Sequence, residues 1–256
     1  SCDREVVAQY IPHGRIARDF ASYLELYYKY QAQYQIDQAL SGHRSEALLE
    51  QAARAPFDEK LSVISLVLAK LNVEFRKTGK MEDGLELLFE KLKEFKGRLA
   101  ENGDGAPVRR LTAFVGEVRE EFEEKKQAGL LTRAQIHRYE DVCGTLGRYL
   151  LEAGETEGQD GEALFGMLAS RFGTERERYE EQCRAALKMV EYAFDFMEGA
   201  FGDSQEMVIF ITELNTSYDA VRFLEENPCE RYYQYNRKLL FEDREAELKK
   251  KLDRLL

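Results

Sequence analysis

Two arginines near the beginning of the chain have the type and spacing to bind a phosphate group. Arg15 and Arg18 lie at the start of the stretch Gly14–Tyr34, where apolar residues recur every three or four positions, as in an amphipathic helix. The N-terminus of a helix attracts anions, and a guanidinium group donates paired hydrogen bonds to phosphate. We therefore expect these arginines to contact a phosphate that another part of the protein supplies. The structural alternative is that both are exposed and pair with Asp19 or other acids.

The chain contains no nucleotide-binding motif of its own. The phosphate-binding sequence G-x-x-x-x-G-K-[ST] is absent, because Gly79-Lys80 is followed by Met81 and lacks the upstream glycine. The acidic pair Asp58-Glu59 follows Pro56 and not an apolar strand, so we interpret it as the acidic first turn of a helix. The sequence predicts no catalytic residue, no enzyme activity and no cofactor for this chain alone.

Metal-binding and nucleophilic patterns are also absent. None of the three histidines follows a glutamate by three residues, which argues against the Glu-x-x-His motif of di-metal helical bundles; they are His13, His43 and His137. Four dispersed cysteines give no zinc spacing and no nucleophile dyad; they are Cys2, Cys143, Cys183 and Cys229. Cys143 and Cys183 fall on apolar faces, where we expect buried core thiols.

Two groups of tyrosines are candidates for contacts with a partner. The first contains Tyr23, Tyr27, Tyr28, Tyr30 and Tyr34, and the second contains Tyr232, Tyr233 and Tyr235. Stacking on nucleic-acid bases is one interpretation. An amphipathic anchor or a protein interface is the favoured one, because the chain is acidic. We select Tyr27, Tyr28, Tyr232 and Tyr233 as interaction candidates.

Composition points to an all-α protein in the cytoplasm. The chain has 256 residues, 33% of them charged, with four prolines and no tryptophan. A net charge of −11 argues against nucleic acid as a partner. No apolar run reaches the roughly 18 to 20 residues that span a bilayer, and the scattered cysteines suit a reducing compartment. The first residue is Ser and not Met, which we interpret as a sign of a fragment.

The predicted elements are helices separated by polar loops. We expect an opening helix to about Gln35, a second over Ser45–Arg54, and a buried helix whose interior Ser62–Phe75 is apolar almost all round. The later helices are placed over Met81–Leu99, Val108–Gln127, Thr132–Glu152, Glu162–Phe172, Thr174–Ala200, Met207–Leu214, Tyr218–Glu226, Pro228–Tyr235 and Asn236–Leu256. A turn at Lys77–Lys80 and a break at Gly173 are part of this prediction. The glycine-rich loop before Pro107 divides the chain into an N-terminal helical portion, residues 1–100, and a C-terminal bundle, residues 108–256.

Several segments of the chain resemble the helical region that follows the ATPase core in bacterial AAA+ proteins of the MoxR type. These segments are IPHGRIARDFASYLELYYKY, APFDEKLSVISLVLAKL, FGDSQEMVIFITELN and ENPCERYYQYNRKLLFEDRE. In that family an upstream α/β core binds ATP and Mg²⁺, and a sensor-2 arginine at the start of a lid helix reaches the γ-phosphate. The resemblance implies that Arg15 or Arg18 is that residue.

The same resemblance implies a function. MoxR-type ATPases act as chaperones, often with von Willebrand A-domain proteins, so this chain would be a lid or accessory interaction domain that couples nucleotide state to a partner. The phosphate loop, the metal-binding strand and the arginine finger are missing from this sequence. The alternative is a free-standing acidic helical adaptor with no ATPase attached.

Overall fold

A computed structural model describes residues 20–43, 45–100, 106–154, 160–202 and 204–254. These residues form nine α-helices and no strand, which confirms the predicted all-α class. The helices are α1 Phe20–Leu40, α2 Glu46–Arg54, α3 Phe57–Ala100, α4 Pro107–Gln127, α5 Arg133–Gly154, α6 Gly161–Phe201, α7 Gln205–Thr216, α8 Tyr218–Glu226 and α9 Glu230–Asp253. The side chains of residues 20–29, 240–248, 251 and 253 are outside the description.

The helices group into two compact units. Unit 1 contains the described residues of Ser1–Glu74 and Ala186–Leu256, and unit 2 contains those of Phe75–Ala185. Both α3 and α6 begin in one unit and end in the other. The two units have other bounds than the predicted portions, residues 1–100 and 108–256. The predicted domain boundary stays a prediction.

Unit 2 is built from parts of α3 and α6 together with α4 and α5. Its core lies between these four helices and consists of Leu88, Leu92, Phe95, Leu111, Phe114, Val115, Val118, Phe122, Val142, Cys143, Leu146, Tyr149, Ala153, Leu164 and Leu168. The five buried residues of α4 are the five that helical periodicity predicts, and Cys143 is buried as expected. An amphipathic stripe is therefore enough to orient α4.

Local capping interactions set the turn between α4 and α5. Gly129 has a φ of 66°, and the N–H of Leu130 bonds the carbonyl of Lys125 at 3.0 Å, which ends α4 in a Schellman motif. The N–H of Thr132 then bonds Oε1 of Gln135 at 2.8 Å, and the N–H of Gln135 bonds Oγ1 of Thr132 at 3.3 Å. Thr132 followed three residues later by Gln135 is the sequence signature of a capping box, and this reciprocal pair confirms it.

Unit 1 contains α1, α2, α7, α8 and α9 and the remaining parts of α3 and α6. Its core residues include Ile36, Leu40, Ile64, Val67, Leu71, Val190, Phe194, Met197, Phe210, Ile211, Leu214, Ala220, Leu224 and Tyr232. The β-prone stretch Met207–Leu214 is helical, as predicted, and Phe210 packs edge-on against Phe194 with ring centroids 5.5 Å apart. Tertiary packing of an apolar helix thus outweighs its strand propensity.

The predicted turn at Lys77–Lys80 and the predicted break at Gly173 are wrong. α3 and α6 run through both positions without interruption. One glycine within a helix costs only about 1 kcal/mol relative to alanine, which the buried contacts on either side outweigh. The hydroxyl of Thr174 donates to the carbonyl of Ser170 at 3.4 Å inside α6, so it does not cap a new helix.

Two other boundaries and the burial of α3 also differ from the prediction. α1 continues past Gln35 to Leu40, and the two predicted C-terminal helices are one helix, α9. The apolar stretch of α3 buries only one stripe, because Val73 keeps 63% of its surface exposed. A fully buried helix was expected there, but only one side of α3 faces the core of unit 1.

Candidate interaction site

The predicted phosphate-binding arginines lie outside the described residues. Arg15 and Arg18 precede Phe20, the first residue of α1 in the structure. Tyr27 and Tyr28 belong to α1, but the description of this segment covers the backbone alone. The sensor-2 role of the arginines and the interface role of these tyrosines therefore stay predictions.

The C-terminal tyrosines lie together on the first turns of α9. Tyr232 is 7% exposed, and its hydroxyl donates to Oδ1 of Asn215 at 2.5 Å. Tyr233 is about half exposed and donates to the carbonyl of Leu224 at 3.0 Å. The planes of the two rings are inclined at 63°, and their centroids lie 5.6 Å apart. Both hydroxyls join α9 to neighbouring helices of unit 1, so each tyrosine has a structural role whatever else it contacts.

A cleft of about 400 Å³ lies on unit 1 between α1, α3 and α6. Its volume is in the range of ligand and peptide pockets. Five apolar residues and five polar residues line it: Leu40, Leu66, Ala69, Val73 and Met189, and Gln33, Asp37, Ser41, Lys70 and Glu74. Exposed Val73 and the flexible Met189 make the apolar part of this surface accessible and adaptable.

The end of α1 is fixed at the cleft by its C-terminal cap. Gly42 has a φ of 80°, and the N–H of His43 bonds the carbonyl of Gln38 at 2.9 Å in a Schellman motif. A Cβ at Gly42 would lie 2.9 Å from the ring of Tyr192 on α6. Glycine is therefore required for the left-handed conformation and for the close approach of this turn to α6.

An ion pair crosses the cleft between α1 and α3. Asp37 accepts from the ammonium group of Lys70, and both side chains remain partly exposed. The pair neutralises the two charges locally and leaves an apolar wall beside it. Such a surface can take an aromatic or aliphatic side chain with a polar tip, because the ring packs on carbon and the tip contacts the ion pair. Ser41 of the lining lies 3.4 Å from Nδ1 of His43, but its hydroxyl donates to the backbone carbonyls of Asp37 and Gln38 at 2.7 and 3.1 Å. The pairing of its hydroxyl with the end of α1 favours recognition over nucleophilic chemistry.

Exposed tyrosines of α1 continue this surface. Tyr34 is 57% exposed and Tyr30, one turn earlier, is about half exposed. Residues four apart lie on the same face of a helix. We call Tyr30, Tyr34 and the residues that line the cleft the α1 surface. The interaction candidates that the sequence predicts on this helix are Tyr27 and Tyr28, and no sequence pattern indicates Asp37, Lys70 or Val73.

A network of charged side chains in unit 2 has a structural role, because its members bond to one another. Lys91 of α3 donates to Glu121 of α4 at 2.8 Å, and Lys125 donates to the same carboxylate at 2.5 Å. Burial would lower the pKa of Lys91, but the hydrogen bond and charge of Glu121 raise it above its ordinary value. Burial would raise the pKa of Glu121, but bonds from Lys125 and Lys91 lower it. Both groups stay charged near neutrality and hold α3 against α4.

A smaller cavity of unit 2 does not form a better site. It has a volume of about 150 Å³ between α3, α5 and α6 and includes the carboxylates of Asp141 and Glu175. Glu175 already accepts hydrogen bonds from Arg148 at 3.4 Å and from Arg178 at 3.3 Å. Its carboxylate is thus engaged by two cations and is a poor general base.

Within the described ranges, no group of three or more His, Cys, Asp and Glu side chains could hold a metal ion. Cys143, Cys183 and Cys229 are buried free thiols, and burial raises the pKa of Cys143 and of Cys229. A raised pKa keeps the thiols of Cys143 and Cys229 protonated and unreactive near neutrality.

One of the three histidines, His137, lies on an exposed face of α5, where its Nδ1 is 3.3 Å from Oε2 of Glu140. None of the helices in the described part of the chain is long and apolar enough to cross a bilayer.

Comparison of the chain with protein-family models, with curated proteins and with solved structures finds no match. The MoxR-type resemblance therefore stays an expectation that rests on the quoted segments.

Proposed function

We propose that this protein is a helical protein-interaction module and that the α1 surface is its working face. The observation that carries this proposal is the 400 Å³ cleft with its accessible apolar wall, next to the exposed ring of Tyr34. Aromatic residues beside an apolar cleft are typical of interface centres.

A photo-reactive amino acid introduced at Tyr34 tests this function in cells that contain the protein's natural partners. We expect a discrete crosslinked product at residue 34 and at residue 73, and none at residue 208. Val208 is the matched control, because it is also an exposed apolar side chain of unit 1. Mass spectrometry identifies the product, and Val73→Glu should abolish the crosslink from residue 34. Equal background labelling at all three positions contradicts the proposal.

We further propose, from the sequence resemblance alone, that the module is the lid or accessory region of a MoxR-type AAA+ ATPase. In that role ATP and Mg²⁺ are bound by the parent protein, and the partner is a von Willebrand A-domain protein. The chain joined to the sequence upstream of it in its gene tests this role through ATP turnover. We expect Arg15→Ala or Arg18→Ala to reduce turnover at least about tenfold, the loss of one charge-assisted contact to phosphate. Unchanged turnover in both variants contradicts the role and leaves a free-standing adaptor.

A further inference from the structure

The α1 helix is poor in charge compared with the rest of the chain. It has three charged residues in 21 positions, Glu25, Lys29 and Asp37, whereas charged residues make up 33% of the whole sequence. Within four residues of Tyr34 on either side, Asp37 is the sole charged residue, and it pairs with Lys70. Depletion of charge together with exposed tyrosine is the composition of an interface core.

We propose that the occupant of the α1 surface is a second copy of this chain, with Tyr34 of each copy lying in the cleft of the other. This inference rests on the proposed function, because it names the partner of the same surface. Two copies of a chain with a net charge of −11 repel each other. They can approach at least cost where few charges face the neighbour. The charged residues that line the cleft are Asp37 and Lys70, which pair with each other, and Glu74.

A symmetric dimer also requires that the group to be bound and its receptor lie on one patch. Tyr34 lies about one helical turn before Asp37 and two before Ser41, which both line the cleft, so ring and cleft belong to the same region of unit 1. The apolar part of the cleft, with Leu66, Val73 and Met189, can receive the ring. The Asp37–Lys70 pair can hydrogen-bond the phenol hydroxyl.

The exposed aromatic surface around Phe89 of unit 2 fits a second copy less well. Phe89 of unit 2 packs on Phe172 with ring centroids 5.7 Å apart and remains about half exposed. Four charged residues lie within four positions of it, namely Glu86, Glu90, Lys91 and Lys93. A second copy that covered Phe89 would have to desolvate these charged groups, which raises the cost of association.

Sedimentation velocity over a hundred-fold range of protein concentration tests the dimer. We expect a monomer–dimer equilibrium with a Kd on the order of 10 μM, because one helix and one cleft bury less area than a permanent interface. Raising NaCl from about 0.05 M to about 0.5 M should tighten the dimer, because salt screens the repulsion between two acidic chains.

Variants locate the contact. Tyr34→Glu should weaken the dimer at least about tenfold, equivalent to about 1.4 kcal/mol, since it adds charge at the centre of the contact. Val73→Glu should act in the same direction from the cleft side. Val208→Glu adds the same charge elsewhere on unit 1 and should change Kd less than about twofold. Circular dichroism checks that each variant keeps its helix content.

A chain that stays monomeric at every concentration, or a dimer unaffected by Tyr34→Glu, overturns the inference. A dimer that salt weakens also overturns the inference, because that result indicates ion pairs across the contact. If the monomer nevertheless crosslinks to a different protein at residue 34, the proposed function stands and only the identity of the partner is wrong. Loss of the dimer in both Tyr34→Glu and Val73→Glu supports the proposed function and the inference that the partner is a second copy.

Discussion

At the scale of single residues, two buried tyrosines differ in how their hydroxyls are satisfied. The hydroxyl of Tyr149 is buried with no hydrogen-bond partner among the described residues, whereas that of Tyr232 donates to Asn215. Burial raises the pKa of Tyr149 to about 12. An unsatisfied buried hydroxyl destabilises the fold, and a satisfied one stabilises it by about 1 kcal/mol.

We therefore expect opposite effects from the same substitution at these two positions. Tyr149→Phe should keep or raise the free energy of unfolding, by up to about 1 kcal/mol, and Tyr232→Phe should lower it by about 1 kcal/mol. Denaturant unfolding at neutral pH measures both values. A larger loss at residue 149 than at residue 232 would mean that the Tyr149 hydroxyl has a partner.

The raised pKa of Tyr149 also predicts a dependence on alkaline pH. Tyrosine ionises near pH 10 in the unfolded chain and near pH 12 in the folded one, so the folded state binds the proton more tightly. The stability that this residue contributes is complete below about pH 10 and is lost as the pH rises toward 12. Tyr149→Phe should lose less stability over this range than the natural chain in guanidinium unfolding. Parallel losses in both chains would contradict the assignment.

A second residue-scale prediction concerns the carboxylate at the start of α7. Glu206 is buried and lies 3.3 Å from the ammonium of Lys60 on α3. Ser204, the backbone amide of Glu206 and Lys60 together hold the pKa of Glu206 below its ordinary value despite its burial. The contribution of Glu206 is therefore present above about pH 4.3 and is lost as the pH falls below it through the folded-state pKa.

Glu206→Gln should lower the free energy of unfolding at pH 7 by about 1–2 kcal/mol, because a charge-assisted contact is lost. Glu213→Gln is the matched control on the same helix, since Glu213 is exposed, and it should change stability by less than about 0.5 kcal/mol. Urea unfolding at pH 7 and pH 3 separates the variants, and the gap between Glu206→Gln and the natural chain should shrink at pH 3. A gap of the same size at both pH values would count against the ion pair.

At the scale of elements, the continuity of α3 is the largest departure from the sequence prediction. Gly79 lies inside α3, and a Cβ there would meet no atom within 4 Å. Gly129, in contrast, has a φ of 66° at the end of α4. The first glycine needs no special conformation, and the second does.

Gly79→Ala should therefore raise the free energy of unfolding by about 0.5–1 kcal/mol, because alanine favours the helix. Gly129→Ala should lower it by about 1–2 kcal/mol, because a Cβ is strained in the left-handed region. Thermal unfolding followed by circular dichroism measures both shifts. Loss of stability with Gly79→Ala would support the turn that the sequence pattern indicates.

Elements with a clear apolar stripe and explicit caps could be predicted from the sequence. α4, the turn through Gly129, and the capping box of Thr132 and Gln135 follow from periodicity and local hydrogen bonding. The continuity of α3 and α6 could not be predicted in this way. Glycines at 79 and 173 carry a local cost that only tertiary contacts of the flanking turns outweigh, and those contacts are not visible in a single sequence.

At the scale of the whole molecule, the candidate site was only partly predictable. Tyrosine enrichment of the opening helix directs attention to α1, where Tyr30 and Tyr34 are exposed. The cleft depends on residues far apart in sequence, such as Asp37, Lys70 and Met189. These residues are close together because of the way α1, α3 and α6 pack in unit 1, and no local sequence pattern predicts that packing.

We expect the α1 surface to be covered by a partner when the protein is at work. The reactivity of a cysteine introduced at residue 34 toward a soluble maleimide measures how far this surface is covered, with a cysteine at residue 208 as control. We expect residue 34 to react at least about fivefold more slowly in cells than in dilute purified protein, as for a side chain buried in an interface. Residue 208 should react similarly in both. Equal reactivity of residue 34 in cells and in dilute solution would contradict the account.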